Sequence, residues 1–178
     1  MKNYQVIVFE KAYLAILENS LQYNLSTGNL AGYKEEDLIY VFEAKHFLGT
    51  NNKDRGISYK DDDYINLLKW EDELFSRNPP LFLVGWYKTW RGGFKPNDYD
   101  ITTQLGRQNL NPEAFMIICN SNKVTEKDTG FRIIRFKDFK EILDFELEFL
   151  DFKVEFTEKN QTKTFIEILK ELETNIKL

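Results

Sequence analysis

One cysteine and one histidine among 178 residues remove several chemistries at once. A lone thiol cannot close a disulfide within the chain, so the fold has to rest on its own core in a reducing compartment. Cys119 sits inside the apolar run Ala114-Phe-Met-Ile-Ile-Cys119, where a thiol behaves as a small buried hydrophobe. Proline is scarce (4) and glycine modest (9), and no linker or low-complexity tract interrupts the chain. No apolar run comes near the ~18 residues that a membrane-spanning helix needs. The first residues, Met1-Lys-Asn-Tyr-Gln5, lack the charged-then-apolar layout of a secretory signal. No nucleophile elbow, P-loop or zinc-ligand spacing is present. The expectation is a single domain, cytoplasmic or, in a eukaryote, nuclear, with no membrane partner.

What the chain does have is apolar mass. Hydrophobic residues make up 42%, aromatics 15%, and phenylalanine alone contributes 15 residues, enough for an ordered core. Twenty-four basic and 29 acidic residues give a net charge of −5, which argues against broad binding to nucleic acid. The charge is uneven: Lys88, Arg91 and Lys95 stand together without an intervening acid, whereas residues 138–173 hold eleven acids and five bases.

Periodicity supplies the elements. Val6–Phe9 reads as a strand, and Tyr13, Leu14, Ile16, Leu17 and Leu21 set a helix over 11–23. Leu30–Tyr33 and Leu38–Phe42 read as a hairpin around a charged turn, followed by a loop at 49–60. Asp61–Asp63 cap a helix reaching Ser76, with Tyr64, Leu67, Leu68 and Leu74 on one face. Leu81–Val84 is a buried strand, 88–98 a loop, and Asp98 or Asp100 caps a helix ending near Asn109. Strands follow at 114–119 and 131–136, a strand-like stretch at 147–157 and a closing helix at 164–177. The alternation predicts one α/β domain with a mixed sheet flanked by helices.

Three segments carry a family likeness: Val84-Gly-Trp-Tyr87, Asp100-Ile-Thr-Thr-Gln104 and Asn111-Pro-Glu-Ala114. In that order, with Gly28-Asn-Leu-Ala-Gly32 upstream and Phe131-Arg-Ile-Ile-Arg135 downstream, they resemble the MPN (JAMM-type) domain. The resemblance covers about residues 4–157. It implies a cytidine-deaminase-like α/β fold over 1–157, leaving 158–178 as a helix that packs on the domain or a partner.

The resemblance also says where zinc chemistry would sit, and there the chain departs from the pattern. An active member holds zinc through two histidines and an aspartate, with a glutamate as general base and a serine at the oxyanion. Lys88 and Trp90 stand at the two histidine positions, Asn97 at the serine and Leu25 at the glutamate; only Asp100 is retained. An ammonium has no lone pair, and an indole N–H only donates. His46 is too far along the chain from Asp100 to be read as a substitute. No metal and no cofactor are therefore expected, and Lys88 is expected to pair with Asp98 or Asp100.

The implied protein is a non-enzymatic adaptor. It would pair with another MPN-domain protein or a second copy, in an assembly of the ubiquitin or translation type, with a ubiquitin-like protein as a further partner. Trp90, Arg91, Phe94 and Lys95 are candidate interface residues, as are Phe165, Ile168, Leu169 and Leu172, which recur at helical spacing. The first helix is an equal candidate. Two alternatives stay open: a nucleic-acid module using 88–95, and an unconventional isopeptidase. Trp90 and Phe94 could equally fill the vacated cleft as core.

Overall fold

The computed structural model describes residues 3–47, 50–52, 56–58, 61–137 and 146–176. Among these residues, ten strands and four α-helices follow in the order β1 (Val6–Phe9), α1 (Glu10–Gln22), β2 (Leu25–Glu35), β3 (Leu38–Phe47), β4 (Thr50–Asn52), β5 (Gly56–Ser58), α2 (Asp61–Ser76), β6 (Phe82–Trp90), α3 (Asp98–Leu110), β7 (Phe115–Cys119), β8 (Phe131–Phe136), β9 (Leu147–Phe149), β10 (Phe152–Glu155) and α4 (Phe165–Ile176). Eight strands form one mixed, curled sheet in the order β10-β1-β3-β2-β6-β7-β8-β9. The α/β class is as the alternation of elements implied.

Strand alternation sorts side chains onto two faces. On one, Leu30, Tyr87, Phe115, Ile117, Phe131 and Ile133 join Tyr13, Ile16 and Leu17 of α1 and Ile168 and Leu169 of α4 in the main core. On the other, Ala31 packs with Trp70 and Leu74 of α2, and Trp86, Met116, Ile118 and Ile134 form a third cluster toward α3. Close backbone approach explains two glycines: a Cβ on Gly28 would sit 2.2 Å from the Lys45 carbonyl oxygen, and one on Gly85 2.4 Å from that of Phe115.

Several expectations need correction. The hairpin is longer than its apolar runs, turning at Glu36, whose φ is +56°. Part of the expected 49–60 loop is a two-stranded ribbon, β4 against β5, while 48–49, 53–55 and 59–60 lie outside the described residues. Strand β6 runs on through Trp90 instead of ending at Val84, because Lys88 and Trp90 continue the register opposite Thr27 and Leu25. The stretch at 147–157 is two strands on opposite edges of the sheet. β9 pairs antiparallel with β8, and after only Leu150 and Asp151, β10 pairs in parallel with β1. The Leu150 amide donates to Ile133 on the β8 side, and the Gln5 amide donates to the Asp151 carbonyl on the β1 side.

Candidate functional site

Asp100 and the residues that the resemblance groups with it, Leu25, Lys88, Trp90 and Asn97, do converge. Leu25 opens β2 directly opposite Trp90 at the end of β6, and Lys88 lies two residues earlier on the same face, opposite Thr27. Asp100 comes from the first turn of α3. The cap of that helix is Asn97, not Asp98 or Asp100: the Asn97 side chain accepts from the Asp100 amide at 2.8 Å, while Asp100 Oδ2 accepts from the Asn97 amide at 3.0 Å. This reciprocal box fixes the carboxylate toward the sheet. Lys88 Nζ donates to the same Asp100 Oδ2 at 2.7 Å.

Lys88 is 6% exposed and Asp100 2%, so the pair is removed from water. The ammonium also lies 5.7 Å from the Trp90 ring centroid, over a face of negative quadrupole. A cation is thus present at this spot, supplied covalently by the chain. Its chemistry does not suit a metal ion, since the carboxylate is already engaged and the flanking Leu25 and Trp90 offer no lone pair. Among the described residues no three His, Cys, Asp or Glu side chains gather to hold a metal. His46 is elsewhere, stacked on Tyr23 at 4.8 Å, with burial holding its imidazole below the usual range.

No protein-family model matches the chain, and no curated protein is significantly similar to it. The geometry is the guide.

The other candidates from the 88–95 segment are largely engaged inside the molecule. Arg91 is exposed at its surface but its guanidinium donates from Nε (3.1 Å) and Nη2 (2.8 Å) to the Ser20 carbonyl and from Nη2 (2.8 Å) to that of Leu21, capping the last turn of α1. Phe94 packs on the Trp86 cluster with the Arg132 guanidinium 4.2 Å above its ring. Trp90 is half-buried, and the α-carbon of Gly92 runs so close to it that a Cβ there would meet the indole Nε1 at 2.2 Å. Lys95 is exposed. On α4, Ile168 and Leu169 are buried in the main core and Phe165 and Leu172 pack against it, so that stripe is turned inward. The α1 stripe is inward as well.

Two features were not read from the sequence. The first is a buried amide relay. Trp86 Nε1 donates to Gln104 Oε1 at 2.8 Å; Gln104 Nε2 donates to Gln108 and to the Ala114 carbonyl, both at 2.9 Å. Gln108 then exchanges hydrogen bonds with the backbone of Phe136. Trp86, Gln104 and Ala114 belong to the three motif segments, which therefore interlock at one glutamine. The signal available was Gln104 and Gln108 at i, i+4 on a helix that otherwise lacks a strong apolar stripe. The second is α2. Of the face expected to be buried, Leu74 is in the core, but Tyr64 and Leu68 point to solvent; the inward stripe is Asp63, Leu67, Trp70 and Leu74.

Proposed function

We propose that this chain is an MPN-type domain without zinc chemistry, working as a non-enzymatic scaffold that binds another protein. The pairing of Lys88 with Asp100, at the spot where the family resemblance puts a metal, carries the reading. Leu25 and Trp90 lie beside it, at the positions the resemblance assigns to the general base and the second metal ligand. The interlock of the three motif segments through Gln104 adds to it. The proposed context is a ubiquitin-type or translation-related assembly with a second MPN protein, and this context rests on the resemblance. The nucleic-acid alternative loses support, because the Lys88 charge is buried and the Arg91 charge is committed to α1.

Rebuilding the site tests the family reading. The triple variant Leu25→Glu/Lys88→His/Trp90→His restores a two-His, one-Asp ligand set with a carboxylate nearby. It is expected to take up one zinc per chain and to gain thermal stability that EDTA removes, while the natural protein takes up none. A folded triple variant that binds no zinc removes the MPN assignment. Stoichiometric zinc in the natural protein instead removes the non-enzymatic reading, the unconventional isopeptidase included in what would return.

A further inference from the structure

Helix α2 keeps large apolar side chains exposed along one face. Tyr64, Leu68 and Phe75 are 54%, 61% and 67% exposed and fall on one side of the helix, with Phe82 of β6 meeting the Phe75 ring edge-on at 6.0 Å. From Tyr64 to Phe75 this ridge runs roughly 16 Å, or about three turns. Beside it a cleft of about 520 Å³ opens between α2 and α3 over the sheet, walled by Tyr64, Leu67, Leu83 and Ala114. Its far lip is Leu110, 87% exposed at the end of α3. Large apolar side chains left in water beside an apolar cleft mark a place for another molecule.

Charge says what kind. The sixteen residues of α2 hold six acids and one base, a balance of −5 that equals the net charge of the entire chain. Glu73 is paired with Arg77, but Asp61, Asp62 and Asp72 are exposed and Glu71 lines the cleft. Arg107 on α3 contributes a positive charge to the opposite wall. We infer that α2 and the α2–α3 cleft dock a basic amphipathic helix of a partner protein. Its apolar stripe would lie along Tyr64, Leu68 and Phe75, and its lysines or arginines would face Asp61, Asp72 and Glu71. A second copy presenting the same helix would set acid against acid, which the charge balance opposes. A nucleic acid or an anionic lipid surface is opposed for the same reason.

The inference deepens the scaffold reading and rests on it for the premise that the protein works by binding. The probe is a fluorescein-labelled 18-residue helix of leucine and lysine in an amphipathic pattern, titrated with the full chain and read by anisotropy. A peptide of the same composition in scrambled order is the control. The amphipathic probe is expected to bind at least tenfold tighter than the scrambled one. Leu68→Ser/Phe75→Ser should weaken binding at least tenfold at an unchanged melting temperature, and so should Glu71→Lys/Asp72→Lys. If the serine pair lowers the melting temperature, the charge-reversed pair decides. Equal binding of the scrambled probe, or unchanged affinity in the deciding variant, overturns the inference. So does a dimer of the natural chain that Leu68→Ser/Phe75→Ser dissociates, which would give the ridge to a second copy. None of these failures touches the zinc-rebuilding result, so the two readings fall separately.

Discussion

Lys88 brings to the sheet face what a bound cation would bring, a positive charge beside Asp100, and it does so without ligands to hold. The arrangement is costly to break from one side. Lys88→Met strands a carboxylate that is almost wholly out of water, and Asp100→Asn strands the ammonium and loosens the cap of α3; each is expected to cost about 3–5 kcal/mol. Lys88→Met/Asp100→Asn removes both charges and should cost clearly less than the sum of the single changes, the coupling being read from urea unfolding of all four proteins. Single-variant losses below about 1 kcal/mol would mean that the pair is effectively solvated and is not the organiser of the site. At this scale the sequence was informative where identity decides chemistry. That Lys88 and Trp90 cannot ligate zinc is visible in their atoms. That Arg91 is tied down is not visible, because its partners are carbonyls 70 and 71 residues away, on a helix whose end only the fold brings near.

Arg91 matters most as part of an element. Helix α1 ends at Gln22 with no basic residue in its last turn, so its terminal carbonyls are served from β6 instead. Arg91→Ala is expected to cost about 1–2 kcal/mol by removing charge-assisted bonds at the negative end of the helix dipole. Hydrogen exchange should quicken over residues 17–23 ahead of the rest of the main core, and uniform exchange across α1 would count against the cap. Elements bounded by strong local signals, such as α1, β7 and β8, came within a residue or so of their sequence bounds. Those bounded by partners did not. The segment 88–90 has the glycine, lysine and proline company of a loop, yet it is a strand because β2 continues opposite it. On α2 apolar residues stand on both sides of the helix, so periodicity alone cannot choose; the stripe through Trp70 and Leu74 went to the sheet, leaving Tyr64 and Leu68 outside.

For the molecule as a whole, the least legible feature was the path of 147–157. An alternating stretch of that length reads as one strand, and nothing local says that it leaves one edge of an eight-stranded sheet and lands on the other. Only pairing across more than a hundred residues reveals it, β10 lying beside β1. That pairing has a mechanical consequence. β1 stands near the start of the described chain and β10 near its end, side by side and parallel, with Val6 opposite Phe152 and Phe9 opposite Glu155. Tension applied at residues 5 and 156, on either side of the pair, therefore pulls the strands along their length in opposite directions, loading their hydrogen bonds together in shear and not one after another. Held at residues 5 and 156 in an optical trap, the protein is expected to resist to a higher force than when it is held at residues 24 and 46, the open end of the β2–β3 hairpin, where those two strands would unzip one bond after another. A force that does not depend on the points of attachment would mean that the two strands do not act as a clamp. A load that enters beside one of these strands and leaves beside the other would be carried along a single seam.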